Sequence, residues 1–135
     1  MLLNDIGDYL SSQGGYVQAS TLFLGKRPEQ PDTCLTVAEW QGLPAVHAFS
    51  ALPGQAVVER AVIQVVARGA AEDYQPTRLN AQNAWALLDG LSRTINGVSY
   101  KWIKARQSPF LMGMDEEKRI LIGFNMDVTK QLSTA

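Results

Sequence analysis

The sequence predicts an α+β fold, a two-layer sandwich in which a mostly antiparallel sheet carries two helices on one face. Three observations predict it. Two stretches set apolar residues at three- and four-residue spacing, as amphipathic helices do. Two others alternate apolar with polar residues, as strands buried on one face do. The elements also run helix, two or three strands, helix, two strands, which segregates the helices to one side of the sheet. With 135 residues the chain has room for one core and not two, so residues 1–135 read as a single domain.

Residues 2–13 form the first helix. Leu2, Leu3, Ile6, Tyr9 and Leu10 fall on one face and Gly14-Gly15 stops it. Ser20 to Gly25 is short and extended, and Pro28 and Pro31 punctuate a turn after it. Cys34 to Trp40 reads as a strand with Leu35 and Val37 on one side. Residues 41–56 read as a long connection. A loop above about 12–15 residues is uncommon unless it is functional or disordered, and this one carries Leu43, Val46, Phe49 and Leu52, too apolar for disorder.

Val57 to Arg68 is the clearest early strand. Ala61, Ile63, Val65 and Ala67 build one face, while Arg60, Val62, Gln64, Val66 and Arg68 make a face only half suited to water. A helix of about five turns follows. Asp73 lies in its N-cap region and Pro76 in its first turn. Leu79, Ala84, Leu87, Leu88 and Leu91 are its expected buried stripe, with Ala81 and Trp85 at the edges. Asn96-Gly97 is a turn. Val98 to Gln107 alternates, setting Tyr100 and Trp102 against Ser99, Lys101 and Ile103. A connection over 108–118 leads to the last strand, where Ile120, Ile122, Phe124, Met126 and Val128 face one way. The tail over 131–135 is expected to be mobile.

Composition narrows the function classes. Twelve Lys and Arg against thirteen Asp and Glu argue against a DNA-wrapping or membrane-surface role, where one sign dominates. The start of the chain lacks a basic leader, and no run approaches the ~18 apolar residues of a membrane span, so a cytosolic product is expected. One cysteine, Cys34, and one histidine, His47, leave no intrachain disulfide and no four-ligand zinc site.

No catalytic constellation emerges. A serine nucleophile has no elbow motif, and a Cys34–His47 pair competes with the simpler reading of Cys34 as a small buried residue. Asp115-Glu116-Glu117, followed by Lys118-Arg119, reads as a solvated hairpin tip and not as a metal or acid–base site. Lys101, Lys104 and Arg106 interleaved with Tyr100 and Trp102 make at most a weak nucleic-acid platform. No cofactor loop is present. The apolar residues left over are Trp40, Leu43, Val46, Phe49 and Leu52, the second face of the 57–68 strand, and Phe110, Leu111 and Met112 after Pro109. They read as a partner surface, in preference to the alternative that the long loop folds back over the open face of the sheet.

The order of several short stretches resembles the minor capsid, or tail-terminator and head–tail joining, proteins of tailed bacteriophages. Those stretches are Leu2 to Leu10, Leu22-Phe23-Leu24-Gly25 with Pro28 and Pro31-Asp32, and Gln107-Ser108-Pro109-Phe110 before Asp115-Glu116. The resemblance implies a structural virion protein without catalytic residues or cofactors, assembled in the host cytoplasm and placed at the head-proximal end of a tail. It implies a homomeric ring of six subunits that ends tail-tube growth and joins tail to head. Its partners would be further copies of itself, the tail-tube protein and a head-completion or connector protein, with genomic DNA passing through unbound. Two other readings stay open at this point. One is a stopper or adaptor with the same structural logic. The other is a small-ligand module or enzyme that uses His47 and Cys34 on an open sheet face.

Overall fold

The computed structural model describes residues 2–42, 46–47 and 56–131, with side chains omitted over 41–57. In chain order the elements are α1 (Leu2–Gly14), β1 (Leu22–Leu24), β2 (Cys34–Gly42), β3 (Val46–His47), β4 (Ala56–Gly69) and α2 (Tyr74–Leu88), followed by β5 (Leu91–Ile95), β6 (Val98–Ala105), β7 (Phe110–Met114) and β8 (Ile120–Gln131). The chain is thus α+β, as its periodicities predict.

The sheet differs from the expected one. It runs β1-β2-β4-β8-β6-β5, with β3 also pairing β4 and β7 also pairing β8. β1 pairs β2 in parallel, and the other pairs are antiparallel. It is therefore a mixed, curled sheet and not a mostly antiparallel one. Three residues of β1 hold too little pattern to reveal a strand direction. The curl has a local cause, because β2, β6 and β7 each carry a register shift, at 39/41, 100/102 and 111/113, and bulges bend strands.

The long connection at 41–56 is partly strand. Gln41 and Gly42 continue β2, Val46 and His47 form β3 against Val58 and Ala56, and Ala56 already belongs to β4. Residues 34–42 and 46–47 thereby pair antiparallel with β4. Leu43, Phe49 and Leu52 lie outside the described residues, as do residues 132–135 of the tail, while Gln131 is still in β8.

Alternation places the core where it was expected. Ala61, Ile63, Val65 and Ala67 of β4, the even residues 120–128 of β8, and Leu35 and Val37 of β2 join Leu2, Ile6 and Leu10 of α1 in one cluster. Ala81, Ala84 and Leu88 of α2 complete it. The stripe on α2 is nonetheless different from the predicted one. Its buried residues are Thr77, Ala81, Ala84 and Leu88, whereas Leu79 is 58% exposed. Small side chains win because the helix lies tight on β4: a Cβ on Gly69 would meet Thr77 Oγ1 at 1.8 Å. The helix begins after Asp73 and ends at Leu88. Gly90, at φ 78°, then turns the chain, so Leu91 starts β5 and is not part of the helix.

Two strands were hidden in the sequence. β5 pairs β6 up to Ile95 and Val98. Asn96 and Gly97, at φ 50° and 78°, are the two left-handed residues that a tight hairpin turn requires. β7 lies within the expected 108–118 connection and pairs β8 over residues 120–123. β6 pairs the same edge of β8 over residues 126–130. The gap between them is bridged by the motif before Phe110. Arg106 donates its amide to the Asn125 carbonyl at 2.8 Å, and Gln107 Oε1 accepts the Asn125 amide at 2.9 Å. A side-chain carbonyl thus replaces the missing strand, as a buried amide demands.

Candidate functional site

The face of the sheet away from the helices carries the odd residues of β8 and the even residues of β4. Its centre is closed by the monomer itself, since Val62, Val66 and Asn125 are buried. The half-apolar pattern of β4 therefore does not by itself require a partner. What stays exposed is at the margins.

One margin is aromatic and cationic. Trp40 is 48% exposed and Trp102 51% exposed. The Arg106 guanidinium stacks 5.8 Å from the Trp40 ring and donates to Asp127 at 2.9 Å, while Lys104 lies 5.2 Å over Trp102. The bulge at 100/102 creates this arrangement. It leaves Tyr100 in the core, 1% exposed, and turns Trp102 to the other face beside Lys104 and Arg106. The predicted platform loses Tyr100 and gains Trp40.

The second margin is β7. Phe110 pairs in register with Gly123 and Leu111 with core-facing Ile122, so these neighbours point to opposite faces. Met112 returns to the Gly123 side, where its Cε would lie 3.2 Å from a Cβ on that glycine. Phe110, Leu111 and Met114 are exposed. The predicted surface residues are thus not one patch. Trp40 lies level with Met126 and Asp127 of β8, as β6 does, whereas Phe110 and Leu111 pair with Gly123 and Ile122, so the two sets are separated along the strands. Val46 has a place in the ladder, opposite Val58. Sequence reasoning missed Met114, Trp102 and Leu79 as exposed apolar residues. For Leu79 the signal was available, because it sits two residues from both Thr77 and Ala81.

The polar clusters are internal struts. The Asp115 carboxylate accepts the amides of Glu117 and Arg119 and the Arg119 Nε, at 3.0, 2.9 and 2.7 Å. Desolvation works to raise its pKa, but these hydrogen bonds and the guanidinium charge hold it below the usual carboxylate range. Asp115 to Arg119 is a hairpin tip, as expected, though Arg119 is buried and not solvated. It also reaches Asp32 and the Glu29 carbonyl. Arg68 holds the Pro31 and Asp32 carbonyls at 2.6 and 3.1 Å. Together the two arginines pin the 29–32 segment.

On the helix side, Tyr100 donates to Asp5 Oδ2 at 2.6 Å, and Asn96 Nδ2 donates to Asp5 Oδ1 and Asp8 Oδ2 at 2.9 and 2.8 Å. Burial first, and then the bond to Asp5 and the charges of Asp5 and Glu59, push the Tyr100 hydroxyl pKa well up.

Cys34 and His47 do not meet. Cys34 is in register with Arg68 and His47 with Ala56, twelve residues apart on β4, or about 40 Å along the strand. Among the described residues, no group of three or more His, Cys, Asp or Glu could hold a metal ion. No helix of the described residues is long and apolar enough to cross a membrane.

Comparison with known proteins supplies the remaining findings. A family model described as bacteriophage tail terminator protein matches residues 9–132. No protein in a search of curated proteins matches the chain. Among solved structures, a chain from the virion of a native gene transfer agent particle is similar at TM-score 0.60 and 13% identity. That alignment covers 97% of this chain and 95% of the other. A second solved chain is similar at TM-score 0.59 and 14% identity, covering 99% of this chain and 93% of that one. At such identities the two likenesses concern the fold.

Proposed function

The chain belongs to the bacteriophage tail terminator family, and on that premise we propose that it forms a homomeric ring of six subunits at the head-proximal end of a phage tail. The family's role is structural and tail-related, which is not an enzyme class. The family match over residues 9–132 is the observation that carries the reading. The ring ends tail-tube growth and offers the head side a docking surface. Its partners are its own copies, the tail-tube protein and a head-completion or connector protein, and DNA passes through without specific binding.

The physical support is the placement of exposed apolar groups. A ring needs heterologous contacts, in which one surface of a subunit meets a different surface of the next. Trp40 and Trp102 at one margin, and Phe110, Leu111 and Met114 at the other, are exposed on a chain whose centre is otherwise closed. They supply unlike surfaces on one subunit. Trp40, Leu43, Val46, Phe49 and Leu52, and Phe110, Leu111 and Met112 of β7, are the residues proposed to meet subunits or partners.

Electron microscopy of the purified protein, with and without tail tubes, tests this. Rings alone, or rings at one end of the tubes, are expected. A protein that stays monomeric at micromolar concentration in native mass spectrometry, and that leaves tubes bare, overturns the reading.

A further inference from the structure

The near-neutral charge of the chain conceals a sided distribution. The helix-free sheet face carries Lys104 and Arg106 beside the tryptophans and Arg60 in register with Thr129. Lys26 and Arg27 line a depression on that same face with Thr36, Ala38, Gln64 and Val66. Among the described residues of this area Asp127 is a carboxylate, and it is held by Arg106. The face ends at the 115–119 tip, where Glu29, Asp115, Glu116 and Glu117 border Arg27, Arg68 and Arg119, so the excess positive charge belongs to its middle and its tryptophan end.

The helix side has the opposite sign. Asp8 on α1, Glu72 and Asp73 ahead of α2, and Asp89 behind it are exposed, against Arg78 and Arg93. Arg93 is stacked over Tyr9. This side also has its own exposed apolar groups, Val17, Tyr74 and Leu79. A hydrogen bond from Tyr16 to Asn80 Oδ1 at 2.7 Å brings the segment holding Val17 against α2.

Each side of the molecule therefore presents exposed apolar groups within charge of one sign, and the signs are opposite. We propose that the occupant of the cationic sheet face is the acidic helix side of a second copy. The inference rests on the assembly reading above and deepens it by naming the two surfaces that meet. The contact is heterologous, so each copy keeps one surface of each kind free for the next. Opposite charge speeds and orients such docking, and like charge opposes it.

Two double variants test the pairing. Lys26→Glu/Lys104→Glu cancels the excess positive charge of the sheet face, and Glu72→Lys/Asp73→Lys turns the helix side basic, so neither variant keeps two surfaces of opposite sign. Asp73 makes no side-chain cap bond, so the second variant leaves the helix start without losing one. Circular dichroism and thermal melting of each variant establish that it is folded. By native mass spectrometry at low salt, the wild type is expected to assemble and each variant alone to lose the assembled species. An equimolar mixture is expected to recover paired copies, because the unaltered cationic sheet face of the second variant meets the unaltered acidic helix side of the first.

Variants that assemble as the wild type does, or folded variants whose mixture stays monomeric, overturn the pairing and leave the ring reading standing. A wild type that is monomeric alone and on tail tubes overturns the ring reading itself. A labelled DNA oligonucleotide held by the wild type and released by Lys26→Glu/Lys104→Glu, with assembly unchanged, also overturns the pairing and reassigns the face to a nucleic acid.

Discussion

Removing one oxygen from Tyr100 tests whether the first helix is tied to the sheet by a buried polar contact. Tyr100 is 1% exposed and Asp5 2% exposed, and the hydroxyl donates to the carboxylate at 2.6 Å. Tyr100→Phe keeps the ring packing and deletes that donor. A hydrogen bond to a charged group contributes about 1.5–3 kcal/mol. With an unfolding entropy of about 2.1 cal/mol/K per residue, a chain of this length loses roughly 3–4 °C of Tm per kcal/mol. The expected drop is therefore about 5–11 °C. Alkaline pH supplies a second readout with a fixed sign. The unfolded tyrosine ionises near pH 10, while the folded one is held neutral to higher pH. Its contribution is fully present below about pH 10 and is lost as pH rises beyond it, by about 1.4 kcal/mol per pH unit. Denaturant titrations of both proteins between pH 7 and 11 measure the difference, in which the other tyrosines cancel. A variant within about 0.5 kcal/mol of wild type at pH 7, or a difference that does not narrow above pH 10, refutes the reasoning.

Gln107→Ala removes the acceptor that stands in for a strand opposite Asn125. It should cost about 1–3 kcal/mol and speed hydrogen exchange at the Asn125 amide, and unchanged exchange would contradict the bridging role. Gly123→Ala would set a Cβ at 2.3 Å from the Val65 carbonyl and 3.0 Å from Val66 Cα. Because backbone must move, a loss of about 1–3 kcal/mol or more is expected in denaturant unfolding. Asp115 is an acid-side counterpart to Tyr100: with its folded pKa below the unfolded one, its contribution is present above about pH 4 and lost as pH falls. Asp115→Asn should flatten that part of the acid-unfolding curve, and an identical curve for the two proteins would count against the tip as a strut.

The helix and strand cores were legible because burial on one face writes a period into the sequence. Ile120 to Val128 in β8 and Ala61 to Ala67 in β4 are buried at every second residue, and α1 buries Leu2, Ile6 and Leu10. What stayed hidden was set by contacts between elements. β7 has no usable period, since both of its faces are partly exposed and a register shift interrupts its five residues. The bulge in β6 separates Tyr100 from Trp102, two residues that strict alternation puts together. On α2, the leucines looked like the core, yet the close approach of Gly69 to Thr77 selects the alanine side. The proposed partner residues fared unevenly for a related reason. Trp40 and Phe110 stand out wherever they lie because large apolar groups are exposed there, whereas Val62 and Val66 looked equally unfinished but are covered within the monomer.

Charge is the property for which a sum over the chain misleads most. Twelve cations and thirteen carboxylates nearly cancel, and cancellation by itself argues against a polyanion partner. Yet β4 already hints at the segregation, because the ionisable residues on its helix-free positions are Arg60 and Arg68, with no carboxylate among them. The rest of the sidedness depends on the fold. Lys26 and Arg27 reach this face only because β1 and β2 run parallel and set the turn after β1 beside Thr36 and Ala38. Lys104 and Arg106 join it only because the bulge reverses the facing of β6 after Tyr100. The same irregularities that concealed strands from the sequence are therefore what gather the positive charge, and a neutral chain acquires two unlike sides. Such a chain needs no excess of either sign to recognise another copy of itself, so near-neutrality is consistent with the proposed assembly.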